Sequence, residues 1–231
     1  MRTYDFRFDT KLIQSFVGLQ MISYKCADSM AEMVDIQIGD NAYCLTNEYE
    51  EYDYFSLENE NTVYRLSKIN GNSFDSIQMM ESVNQIISKV LLVNEHITLE
   101  KNESLSYDMW NTKAIIFILD DYELCFMRKD CWLSEKIEIL KGKDLLNQIR
   151  YDQSILDDFI DMKDGIVEVN REIVAFDEYD KNEPCIFFEK GSFYNEFFLK
   201  ENRQFLLCLL FSTRSSFSSL FKRFDTVDLD K

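Results

Sequence analysis

The chain has 231 residues, 46% of them hydrophobic and 14% aromatic, with a formal net charge of -17. Length and composition allow a sizeable core and exclude a compositionally disordered chain. The negative field repels phosphate backbones and anionic lipid, which excludes nucleic acid and membrane as expected partners and favours basic proteins and cations.

One Pro and six Gly leave much of the turn chemistry to Asn and Asp. Phe6 and Phe8 alternate around Arg7. Leu12, Ile13, Phe16 and Val17 have helical spacing, with Gly18 as a stop, and Met21 to Tyr24 reads as a strand. In Val34 to Leu45 two apolar runs flank Gly39-Asp40-Asn41, the pattern of a hairpin. Asn47 to Asn61 then carries six acids and no base, interleaved with Tyr49, Tyr52, Tyr54 and Phe55. Charges of one sign at that density cannot be buried together, so the stretch is expected on the surface. Asn70-Gly71 marks a turn.

The plan then restarts. Ile86 to Leu99 reads as one long strand or two short ones. Thr112 to Arg128 is a second hairpin, with Asp120-Asp121 in or beside its turn, and it echoes Val34 to Leu45. Aligning Cys44 with Cys125 puts Asp40 on Asp121. The chain is therefore read as a single domain, residues 1–231. Two similar β-rich units, 1–71 and 72–150, would be followed by a hairpin-plus-helix region, 151–231.

Lys143 to Ile149 and Ser154 to Ile160 have the spacing of short helices. Gly165 opens a third β region, with Ile166, Val167, Val169 and Ile173 to Phe176, and a return strand from Cys185 to Phe188. Glu196 to Phe224 carries the longest helical periodicity, with Phe217, Leu220, Phe221 and Phe224 on one face. Its basic residues suit docking on an acidic sheet. The expected fold is α+β: antiparallel hairpins in one or two sheets, with a long amphipathic C-terminal helix on a sheet face.

No constellation for catalysis stands out. The single histidine, His96, lies in a predicted strand without a nucleophile-elbow motif, and no glycine-rich phosphate loop occurs. Asp40, Asp120 and Asp121 would suit a divalent cation if their turns met, yet hairpin turns select Asp without any ligand. A nuclease-like carboxylate set at Asp164 and Glu168 fails because Asn170 stands where a lysine is needed. No metal and no cofactor are expected. The six cysteines include no CxxC pair, and Cys44, Cys125, Cys185 and Cys208 lie in apolar runs as reduced core thiols do. The N-terminal MRTYDFRFDTK has no apolar signal core, and a cytoplasmic location is expected.

Recognition is the better-supported role. The segment Glu48, Tyr49, Glu50, Glu51, Tyr52, Asp53 and Tyr54 offers carboxylates and rings to a cationic partner, and Trp110, in a polar stretch, is a candidate anchor. Together these predict an acidic, non-catalytic binding protein that docks or neutralises a basic protein, as an immunity protein or inhibitor does. Self-association through the C-terminal helix is the alternative, and a carboxylate enzyme acting on a small cation the third.

Overall fold

The computed structural model describes residues 1–27, 30–51, 60–70, 79–101, 104–129, 135–149, 165–177, 185–193 and 205–206. These fold almost wholly into antiparallel strands. The elements are β1 Arg2–Phe6, α1 Thr10–Gln14, β2 Gln20–Cys26, β3 Met30–Ala31, β4 Met33–Ile38, β5 Asn41–Glu51, β6 Glu60–Ile69 and β7 Met79–Ile86. They continue with β8 Lys89–Lys101, β9 Ser104–Ile118, β10 Glu123–Arg128, β11 Ile137–Gly142, a 3-10 turn Leu145–Gln148, β12 Gly165–Asp177, β13 Cys185–Phe193 and β14 Phe205–Leu206.

The strands form two sheets. The larger runs β14-β13-β12-β8-β9-β10-β11-β3, with β1 added in parallel to β9, and the smaller runs β6-β5-β4-β2-β7. Both predicted hairpins form. In β4–β5, Gly39 takes φ +53° in a two-residue turn, a conformation that glycine adopts without steric cost. In β9–β10, Leu119 donates its N–H to the Tyr122 carbonyl at 3.0 Å to close the Asp120-Asp121 turn. The first hairpin lies in the small sheet and the second in the large one. The proposed units 1–71 and 72–150 interleave: β1 and β3 join the large sheet, and β7 joins the small one.

One apolar core fills the space between the sheets. Val90, Leu92, Phe117 and Phe126 of the large sheet meet Tyr24, Ile36, Leu45 and Tyr64 of the small one. The aromatic-rich composition shows here as edge-on pairs, Tyr24 with Phe126 at 5.5 Å and Phe117 with Phe126 at 6.0 Å. The α1 segment plugs one end. Asp9 accepts from the Lys11 N–H as its cap, Ile13 and Phe16 are fully buried, and Gly18 at φ +82° turns the chain into β2.

The α+β expectation is corrected: among the described residues α1 and the 3-10 turn are the only helical segments, and no long helix occurs. The predicted helix Glu196 to Phe224 lies outside the described residues except at Phe205–Leu206, where the chain is strand β14 against β13. The run Phe205 to Phe211 is almost continuously apolar, and such a run satisfies a sheet edge as readily as a helix face. Ser154 to Ile160 also lies outside the described residues. The helix expected over Lys143 to Ile149 is the 3-10 turn, whose Leu145 N–H is capped by Glu123 at 2.7 Å.

Candidate recognition face

β8, β9 and β12 are long, at 13, 15 and 13 residues, and their far ends change character. Ile97, Leu99, Tyr107, Met109 and Val169 alternate onto one face and are buried. The intervening residues are polar and share the other face, the same face that packs on the small sheet further along. Strand register orders them in rows. Glu172, Asn94 and Thr112 form the first. Asn170, His96, Trp110 and Asp5 form the second, and Glu168, Thr98, Asp108 and Thr3 the third.

The second row carries a stack. His96 and Trp110 are direct cross-strand partners with ring centroids 4.1 Å apart and planes 7° from parallel. The Arg7 guanidinium lies 4.4 Å from the Trp110 ring centroid, reaching it from the β1 side while His96 reaches it from β8. Each end is held by an aspartate. Asp108 Oδ1 is 2.6 Å from His96 Nε2, and Asp5 accepts Arg7 Nε at 2.9 Å and Nη2 at 2.6 Å. The fork hydrogen bond from Arg7 holds the Asp5 carboxyl below its ordinary pKa, against the smaller opposing effect of burial.

A hydrogen-bonded relay separates this stack from the core. Asn94 Nδ2 donates to Glu172 Oε1 at 2.9 Å, Thr112 Oγ1 donates to Asn94 Oδ1 at 2.8 Å, and Phe8 N–H donates to Thr112 Oγ1 at 3.0 Å. Phe8 then packs against Tyr64 at 4.9 Å. Behind the rows, on the opposite face, Arg171 pairs with Glu95 at 3.0 Å and donates to the Ile149 carbonyl at 2.9 Å, all of it buried. The face is therefore fixed from below before anything approaches it.

Carboxylates outnumber cations on this face among the described residues: Asp5, Asp108, Glu168 and Glu172 share it with Arg7 and His96, and Lys190 of β13 is the register partner of Asn170 at the end of the second row. By contrast a cleft of about 410 Å³ on the outer side of the small sheet mixes Lys25 and Lys68 with Asp35 and Asp40. Among the described residues no group of three or more His, Cys, Asp or Glu is placed to hold a metal ion, and no helix is long and apolar enough to cross a membrane.

Of the residues singled out from sequence, Trp110 is the one at the centre of this face. Both sides of its ring are covered, so it offers an edge and a rigid wall rather than an open ring. Glu48, Tyr49, Glu50 and Glu51 are the last residues of β5. Glu48 is exposed, Tyr49 is 42% exposed, and Glu50 is already paired with Arg65 of β6. Tyr52, Asp53 and Tyr54 lie outside the described residues, as does Trp132. The β6 strand touches both β1 and β9, which makes it a small-sheet strand adjoining this polar face. Asp120 and Asp121 serve the turn: Asp121 accepts from Gln85 Nε2 at 3.0 Å and returns its own N–H to Gln85 Oε1 at 3.2 Å.

Asp5, Arg7, Asn94, Asp108, Thr112 and Glu172 were not singled out from sequence, and Glu168 was weighed there only for a nuclease-like set. The available signal was the alternation of Ile97-Leu99 and Tyr107-Met109, which implied one-sided strands with His96, Asp108 and Trp110 together on the polar side. Comparison with known proteins gives no further guide: no family model, curated protein or solved structure matches the chain.

Proposed function

We propose that the chain is an acidic, non-catalytic binding protein that docks or neutralises a basic protein partner, in the manner of an immunity protein or inhibitor. The observation that carries this reading is the polar face on which four carboxylates share rows with a Trp110 stacked on His96 and covered by Arg7. Carboxylates on a rigid sheet steer a cationic partner and fix its register, and an immobilised tryptophan loses little entropy on binding. Cys125, fully buried in an apolar strand as reduced core thiols are, suits a reducing, cytoplasmic setting.

Charge reversal tests the assignment. Asp108→Lys with Glu168→Lys is expected to abolish salt-sensitive capture of basic proteins from the native cell. Reversal at Glu48 and Glu50 is expected to weaken it less, because Glu50 is already committed to Arg65. Equal capture by the parent and the Asp108/Glu168 variant would remove the face from the account.

A further inference from the structure

Arg7 lies on the face as a ligand would. Its guanidinium lies over the Trp110 ring at 4.4 Å, gives a two-pronged hydrogen bond to Asp5, and turns Nη1 toward Glu172 at 3.6 Å. A π-surface, one carboxylate engaged side-on and a second within reach are what an arginine side chain needs to be held in one orientation. Trp110 cannot tilt away, because His96 backs its other side and Asp108 holds His96. The seat is thus built from three strands, while its occupant comes from the residue just after β1.

We propose that Asp5, Trp110 and Glu172 form a guanidinium seat that Arg7 fills in cis, and that an arginine of the basic partner takes this seat on docking. The inference rests on the docking function above and names its chemistry: arginine rather than lysine, with Arg7 as the internal competitor. An ammonium is a point charge. It cannot lie flat on the indole while presenting two parallel N–H bonds to one carboxylate. A tethered occupant also competes at an effective concentration in the millimolar range, so an incoming arginine binds more weakly than the bare seat allows, by roughly tenfold or more.

The test is isothermal titration of octa-arginine and octa-lysine into the parent, Arg7→Gln and Arg7→Gln/Trp110→Leu proteins, at low and high salt. Circular dichroism establishes that each variant is folded. Octa-arginine is expected to bind Arg7→Gln about tenfold tighter than the parent, octa-lysine to change by no more than about threefold, and Trp110→Leu to erase the difference between the peptides. If both peptides bind all three proteins with the same affinity, the docking reading stands and the seat is overturned. If neither peptide binds any protein, the docking reading falls and takes the seat with it. Should Arg7→Gln not fold, Arg7→Lys replaces it. That variant keeps the charge and loses the fork, so a preference for octa-arginine over octa-lysine that exceeds the parent's supports the seat, and an unchanged preference overturns it.

Discussion

His96 and Trp110 face each other directly across β8 and β9, and their rings lie 4.1 Å apart and 7° from parallel. The chain's only histidine is thereby used to hold its one described tryptophan upright. Asp108 fixes the imidazole, and Arg7 closes the other side of the indole. Trp110→Ala removes the middle of this stack. A buried Trp→Ala change costs about 3–5 kcal/mol, and for a half-buried ring about 2 kcal/mol is expected. Urea denaturation should show a lower midpoint with an unchanged slope, since the fold itself survives.

The relay beneath the stack should be less forgiving than its size suggests. Asn94 serves Glu172 and Thr112 at once, so Asn94→Leu leaves a buried carboxylate oxygen and a buried hydroxyl without their partner. A loss of about 3 kcal/mol is expected. Thr112→Val keeps the shape but strands the Phe8 N–H, and should cost about 1–2 kcal/mol. Their double variant should cost less than the sum, because both remove the same hydrogen bond. Additive losses would show that the relay does not act as a unit.

Acid should loosen the join between the sheets. Glu81 of β7 accepts from Lys141 of β11 and from the Tyr24 hydroxyl, and Lys141 also lies 4.3 Å from the Tyr122 ring centroid. The Lys141 hydrogen bond, followed by that of Tyr24, depresses the Glu81 pKa below its ordinary value. Its folded pKa is therefore below the unfolded value of about 4.3, so the stabilisation is fully present above that pH and disappears as pH falls through the folded pKa. The Glu81 side chain is 35% exposed, so solvent screening limits the effect to roughly 0.5 kcal/mol. Glu81→Gln should flatten the decline in urea midpoint between about pH 5 and pH 3 relative to the parent. An identical acid limb would show that the clamp contributes nothing.

The sheet pattern was legible where local chemistry decides it. Period-2 alternation at Val34, Ile36 and Ile38, the Gly39-Asp40 turn and the Asp120-Asp121 turn all mark strands and hairpins that form. The third β region read from Gly165 to Phe176 forms as the single strand β12, and its polar middle is accommodated with Arg171 buried against Glu95 on one face and Glu172 in the relay on the other. The long C-terminal helix was inferred from apolar spacing that a sheet edge can also use. Trp110 was legible as a polar-flanked aromatic. Its surroundings were not, since residues 5–7, 94–96, 108–112 and 168–172 meet only through long-range strand register.

The hairpin turn offers a check on that division between scaffold and site. Asp121 is tied to Gln85 in both directions, and so links the β9–β10 turn to β7. Asp121→Ala should lower stability by about 1 kcal/mol or less, the pair being exposed, and leave binding of a basic peptide unchanged. Weakened binding with stability intact would return the aspartate turn to the functional surface.

The central claim is that the Trp110 face docks a basic protein segment through charge. The most direct measurement is the salt dependence of octa-arginine affinity for the parent and for Asp108→Lys/Glu168→Lys, taken by titration calorimetry. Measurable, salt-sensitive binding to the parent is expected, with a loss of at least about tenfold in the variant and a shallower salt slope. Equal affinities with the same salt slope would contradict the claim.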